Sequence, residues 1–303
     1  MRVSQSMLSN NMLRNLSNSY SNLGKYMDQL STGKKVNKPS DDPVVAMKGM
    51  DYRSQVTEVE QYQRNISEVH NWMDNSDSAL DKATQALQRL RELAVQGSNG
   101  TYEEGQRKNI AAEVDQLKDH LIDIANTKVN DKYLFNGTGT TGSINVDGDS
   151  VPPVTTNGEG DVTAVATNTD SVLIEVLDGT KLKANVDGTK VFGSDFFTQI
   201  EEFSNALKGN NSEGAEQAIA NLDKHINNVV NERADLGARM NRLDLIENRV
   251  ADQEIAATKM MSDNEDADME KVIMNLTTQE SIHRAALSAG SRIIQPTLLD
   301  FLR

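Results

Sequence analysis

The chain has 303 residues, of which 37% are hydrophobic and 4% aromatic, and this composition favours thin aliphatic helical layers over one large core. The formal net charge of −14 argues against nucleic acid and anionic membranes as partners, because both attract clustered Lys and Arg. Cysteine is absent, which excludes disulfides and thiolate metal sites. No apolar stretch suits a membrane span or a cleaved signal peptide, so these rules alone predict a cytoplasmic protein.

The first predicted helix carries a narrow apolar stripe, the N-terminal seam, formed by Leu13, Leu16, Tyr20, Leu23, Met27 and Leu30. A stripe of about two apolar residues per heptad is too thin to be the core of a monomer and requires another helix. The helix is expected to end near Gly33. Asp42 followed by Pro43 predicts the N-cap and the first residue of the next helix.

The strongest helical periodicity runs from Tyr62 to Ala94 and is expected to end at Gly97. Thr101 with Glu104 predicts a capping box for a third helix, which carries apolar residues on one face from Ile110 to Ile124. Because the connection is short, we expect the second and third helices to form an antiparallel hairpin.

The composition changes between 138 and 195, where Gly, Thr, Val and Asp predominate. Asp-Gly pairs at 147–148, 178–179 and 187–188 predict turns, and residues 172–177 predict a strand, so this segment is expected to be a small β-rich insertion. Helical periodicity resumes at Phe196, and a long helix is expected from about Ser212. An acidic segment, 263–270, leads into the last predicted helix.

The last predicted helix carries a C-terminal seam, formed by Met269, Ile273, Leu276, His283, Leu287, Ile294, Leu298 and Phe301. Seams at both ends of one chain indicate that the termini come together. Our hypothesis is that they remain unpaired and disordered in the free monomer and fold against neighbouring subunits. The alternative is an intramolecular coiled coil in a stable monomer. The residues expected to bind other subunits are Leu16, Leu23, Met27, Leu30, Ile273, Leu276, Leu287, Ile294 and Leu298.

Three motifs resemble sites that carry chemistry, but their sequence context does not support such a role. Residues 137–142 match the dinucleotide fingerprint GxGxxG, but strand and turn residues follow where a helix must begin. The four histidines lie on separate segments without HxxxH or HExxH spacing and are interpreted as solvated. The acidic segment lacks the glycine and glutamate of a calcium loop. We therefore predict no catalytic, cofactor-binding or metal residue, no cofactor and no enzymatic activity.

Four segments resemble the bacterial flagellin family. They are LSTGKKVN with SDD (30–37 and 40–42), LRELAVQ with NGT (90–96 and 99–101), YLFNG (133–137) and LLDFL (298–302). Within the family, the resemblance is closer to the proteins of the hook–filament junction than to flagellin. Pro39 and Pro43, the Val191-Phe192-Gly193 end of the insertion and the terminal LLDFLR favour the junction proteins. A short flagellin is the alternative, since it would share the helical frame.

The resemblance implies a mainly α fold, a long coiled-coil-like helical rod built from the N- and C-terminal halves with a small β-rich domain inserted in the middle. It implies a structural adaptor at the hook–filament junction that contacts hook-associated protein 1, flagellin and itself in a ring. Export as an unfolded chain through the flagellar type III apparatus, with a chaperone on the C-terminal helix, is also implied and replaces the cytoplasmic prediction. The expected domains are 1–42 with 262–303 (inner coiled coil), 43–137 with 196–261 (helical) and 138–195 (outer, β-rich).

Overall fold

The computed structural model describes residues 5–99, 103–144, 150–157, 161–165, 168–209 and 211–293. Seven helices lie in these ranges: α1 (Gln5–Thr32), α2 (Pro43–Ser98), α3 (Glu104–Ala125), α4 (Gly188–Val191), α5 (Ser194–Lys208), α6 (Ser212–Glu265) and α7 (Met269–Ile293). The predicted fold class is confirmed, because long helices dominate and the strands form only small antiparallel pairs between α3 and α4.

The chain divides into two compact units. The terminal unit comprises Met1–Glu58 and Gln253–Arg303, and the central unit comprises Val59–Asp252. The division into three domains that the sequence suggests stays a prediction.

The central unit is a bundle of antiparallel helices. Arg89 of α2 forms an ion pair with Glu113 of α3 at 2.8 Å, as the predicted hairpin requires. Arg233 of α6 reaches back to Asp77 and Asp81 of α2. The predicted seam of α2 lies in the core, where most of its members are almost fully buried: Ile66, Val69, Met73, Leu80, Leu87, Leu90 and Ala94. Four aromatic rings extend this core. They belong to Phe135 after β2 (Lys132–Tyr133), Phe192 directly after α4, and Phe196 and Phe197 of α5.

The strands of the central unit form four antiparallel hairpins within the described residues. They are β1 (Lys128–Val129) with β2 (Lys132–Tyr133), β3 (Ser143–Ile144) with β4 (Ser150–Val151), β5 (Val154–Thr156) with β6 (Val162–Val165), and β7 (Leu173–Leu177) with β8 (Thr180–Lys183). The predicted strand and turn near 172–179 are present, with Gly179 at φ +67°.

Two local predictions, one for the Asp187-Gly188 pair and one for the start of α3, are wrong. Asp187-Gly188 is not a hairpin turn: Asp187 is the N-cap of α4, and its carboxylate accepts a hydrogen bond from the Thr189 backbone N–H. The N-cap of α3 is Glu103, whose backbone N–H donates to Gln106 Oε1. Thr101 and the Asp147-Gly148 pair lie outside the described residues.

In the terminal unit, α1 packs against α7. Gln279 Nε2 of α7 donates to Ser19 Oγ of α1 at 2.9 Å, and the rings of Tyr20 and His283 lie 6.1 Å apart. Gly290 permits close approach, since a Cβ atom there would overlap the end of the Met12 side chain, which would have to move. The termini therefore pair within the chain, which is the arrangement that the intramolecular alternative requires.

Candidate subunit-interaction surface

The two terminal helices are joined at one end by a short backbone bridge. Gly33, at φ +69°, ends α1, and its carbonyl accepts a hydrogen bond from the Ala267 N–H at 2.9 Å. The Lys35 N–H donates to the Glu265 carbonyl at 2.6 Å. This antiparallel bridge fixes the segment after α1 beside the segment before α7, so that the end of α1 and the start of α7 are held together.

Charged side chains reinforce the bridge. Glu265 is only 5% exposed, and its Oε2 accepts from Arg53 Nη2 at 2.7 Å. Lys34 Nζ lies 2.7 Å from Asp266 Oδ1 and 3.5 Å from Glu265 Oε2. The hydrogen bond to Asp266 raises the pKa of Lys34, and the same bond lowers the pKa of Asp266. Gly49 leaves room for the Glu265 carboxylate, which a Cβ atom would overlap.

The acidic segment 263–270 therefore has a structural role at this bridge. Glu265 and Asp266 bind cations of the chain, and Asp268 caps α7 by accepting a hydrogen bond from the Lys271 N–H at 3.1 Å. Glu270 lies in the first turn of α7, where the helix dipole favours negative charge.

The structure places the predicted interaction residues on both paired helices. Leu16, Leu23 and Leu30 of α1 and Leu276 of α7 are half-buried. Met27, Ile273 and Leu287 are about half exposed, at 55%, 48% and 49%. Ile294 and Leu298 lie outside the described residues.

The terminal unit has almost no apolar core of its own. Among the described residues, Ala257 and Val272 are the only buried apolar side chains within it. It nevertheless carries fourteen of the eighteen large apolar side chains that are exposed in the described chain. The exposed apolar side chains of the terminal unit are therefore its candidate surface for contacts with other subunits.

Sequence reasoning missed several members of this surface, because they lie outside the two seams. They are Val44, Met47, Met50, Ile255, Met274 and Ile282, each more than half exposed. The spacing of Met47 and Met50, one helical turn apart directly after Pro43, was the available signal.

Two other candidates, the GxGxxG segment and His225, have structural surroundings that differ from a ligand site. Gly137 and Gly142 adopt positive φ, but β3 follows them, and the next described helix is α4. His225 is buried rather than solvated: Gln199 Oε1 lies 2.9 Å from its Nε2, its ring packs edge-on against Phe196, and burial lowers its pKa. Among the described helices, none combines the length and apolarity that a bilayer crossing demands.

The class of protein that this arrangement defines is a structural protein of long helices whose two chain ends form one unit with an exposed apolar surface. The family model "Bacterial flagellin N-terminal helical region" matches residues 3–140, and "Bacterial flagellin C-terminal helical region" matches residues 219–302. The chain belongs to the bacterial flagellin family, whose members are structural components of the flagellum.

Individual relatives cover nearly the whole chain. Flagellar hook-associated protein 3 of Escherichia coli (strain K12) is 28% identical over 95% of this chain and 96% of its own length. The flagellin of Listeria monocytogenes serovar 1/2a is 30% identical over 91% of this chain and 90% of its own length. The crystal structure of flagellar hook-associated protein 3 from Legionella pneumophila aligns with a TM-score of 0.60 at 16% identity, covering 70% of this chain and 97% of that one, which shows a shared fold.

Proposed function

We propose that this protein is a structural adaptor that joins the hook side of the bacterial flagellum to the flagellin filament. The observation that carries the proposal is the terminal unit, which exposes large apolar side chains and buries very few. Its relatives named flagellar hook-associated protein 3, from Escherichia coli and Salmonella typhimurium, match more than nine-tenths of the chain and support the junction role.

The mechanism is burial of the terminal surface between subunits. Fully burying one large aliphatic side chain contributes roughly 1.5–3 kcal/mol, so a half-exposed one such as Met27 or Ile273 contributes about half of that. Several such residues on α1 and α7 together supply the free energy of a specific interface. The polar bridge at Lys34 and Glu265 would hold the two helices in register while the surface is covered.

The expected partners follow from position in the assembly. They are hook-associated protein 1 on one side, flagellin on the other, and further copies of this chain in a ring. We place residues 1–42 with 262–303 in an inner coiled-coil domain, 43–137 with 196–261 in the next helical layer and 138–195 on the outside. Before assembly, the chain would pass through the flagellar type III apparatus, with a chaperone on its C-terminal helix.

A second candidate function is that of a short flagellin. The 30% identity to the Listeria flagellin over 91% of the chain favours it. A flagellin subunit would use the same terminal surface, but to bind many copies of itself along a filament.

A clean deletion of the gene distinguishes these functions. Filaments are scored by microscopy, and free flagellin in the medium is measured by immunoblot. Intact hooks without filaments, with flagellin released as monomer, support the junction role. Loss of flagellin both as filament and as free protein identifies the chain as flagellin. Normal filaments, in a strain without a second gene copy, contradict both functions.

A further inference from the structure

His70 of α2 lies opposite Asp244 and Glu247 of α6 in the central unit. His70 Nε2 is 3.1 Å from Glu247 Oε2 and 3.7 Å from Asp244 Oδ1. All three potential ligand atoms lie within 4.8 Å of one another. We propose that these three side chains bind a divalent transition-metal ion of the zinc type.

The distances agree with a shared metal ion. Two ligands of a tetrahedral zinc ion, with bonds of about 2.0–2.1 Å, lie about 3.3 Å apart, and the two observed distances from Nε2 lie on either side of that value. Asp244 and Glu247 are three residues apart on one helix, so their carboxylates project from the same face toward α2. One imidazole and two carboxylates leave a fourth position for water.

The charges of the site also favour a cation. Within the described chain, His70 is the only basic side chain that pairs with Asp244 or Glu247, and neither carboxylate has a lysine or arginine partner. A neutral imidazole can donate only one hydrogen bond from Nε2, so two neighbouring carboxylates share one donor. A divalent ion would neutralise both carboxylates at once.

The ligand set selects a class of ion. Imidazole nitrogen suits zinc and the neighbouring transition metals, whereas magnesium and calcium prefer sites built from oxygen alone. A bound ion would tie together two helices through residues 177 positions apart in the chain. Its effect would be to clamp α2 to α6 in the central unit.

The test uses the full-length, tag-free protein and ZnCl2, with MgCl2 as the comparison ion. We expect calorimetry to show one zinc ion per chain, a melting temperature that rises with zinc concentration, and no comparable response to magnesium. His70→Ala and Glu247→Gln should each weaken zinc binding at least about tenfold, because each removes one of three ligands. Cobalt titration should give the visible absorption band of a four-coordinate site in the wild type but not in these two variants.

Two variants serve as matched controls. His120→Ala removes an exposed histidine of α3, and Asp252→Asn removes an exposed carboxylate of α6, so both should leave zinc affinity unchanged. Since Asp244 and Glu247 have side chains that are 58% exposed, the site variants should keep the wild-type circular dichroism spectrum without metal. No zinc binding by the wild type, or equal binding by His70→Ala and wild type, would overturn the proposal.

Discussion

Arg53 donates a hydrogen bond to the nearly buried carboxylate of Glu265 at 2.7 Å, and this contact joins the first part of α2 to the end of α6 inside the terminal unit. The same carboxylate lies 3.5 Å from Lys34 Nζ, beside the backbone bridge at Gly33 and Ala267. The charge of Glu265 therefore supports the bridge between the end of α1 and the start of α7.

Glu265→Gln should weaken the backbone bridge between the end of α1 and the start of α7. The amide keeps the shape of the side chain but loses the charge that Arg53 and Lys34 bind, at a cost of about 1–2 kcal/mol, because the two cations are partly exposed and screened by water. Hydrogen exchange at the Lys35 and Ala267 amides should become faster. Asp263→Asn, an exposed change in the same turn, is the control, and equal exchange in both variants would refute the role of Glu265.

Acid should weaken the bridge through Asp266. Its pKa is lowered in the folded chain, chiefly by the hydrogen bond from Lys34, so its stabilising contribution is present above the unfolded value of about 3.9 and is lost as the pH falls through the folded value. The contribution is small, roughly 0.2–1 kcal/mol, because the pair is partly exposed. The protection factor of the Ala267 amide, which corrects the measured exchange rate for the intrinsic rate at each pH, should fall between pH 6 and pH 2.5, and it should fall less in Asp266→Asn than in wild type.

The contribution of Lys34 to the stability of the bridge should depend on pH in the opposite sense. Its raised pKa means that its contribution is complete below the unfolded value of about 10.4 and is lost as the pH rises through the folded value.

Charge introduced on the terminal surface should block assembly without unfolding the chain. Ile273 is 48% exposed, so Ile273→Glu should change the free energy of unfolding by no more than about 0.5 kcal/mol. In a strain that lacks the gene, this variant should fail to restore filaments, because a carboxylate would be buried in the interface. Leu245→Glu, at a 72% exposed residue of the central unit, is the control and should restore them. Full motility with Ile273→Glu would contradict the proposed surface.

The central unit should lose stability between pH 7 and pH 5 because of His225. Burial beside Phe196 lowers its pKa, so the unfolded chain takes up a proton at a pH where the folded chain does not. Stability therefore falls as the pH drops through the unfolded value of about 6.5, and the loss levels off below the folded value. Denaturant unfolding of wild type and His225→Gln at both pH values tests this, and the variant should show a smaller difference.

The long helices could be predicted because their apolar residues repeat over many turns. The seam of α2 continues from Ile66 to Ala94 without a break, and the structure buries nearly all of it. Helix starts were less predictable, because an Asp-Gly pair such as Asp187-Gly188 suits a turn as well as an N-cap. In the structure, the Asp187 carboxylate accepts a hydrogen bond from the Thr189 backbone N–H, so this pair begins a helix.

Contacts between distant segments could not be predicted from spacing. His70 and Glu247 belong to different helices, and a search for ligands one turn apart on a single helix does not find them. His225 was interpreted as solvated from its polar neighbours in sequence, whereas α5 covers it in the fold. Whether the predicted interaction residues bind other subunits stays a prediction.

The bridge beside Gly33 also has a consequence for how the chain folds. Lys34 and Asp266 are 232 positions apart, and closing a loop of that length costs roughly 3 kcal/mol more entropy than closing one of ten residues. If the central unit folds first, it shortens this loop to a few dozen flexible residues. We then expect α1 to pair with α7 after the central unit has formed. Because the terminal unit buries so few apolar side chains, we expect this pair to open first, which would let the two helices exchange partners while the central unit remains folded.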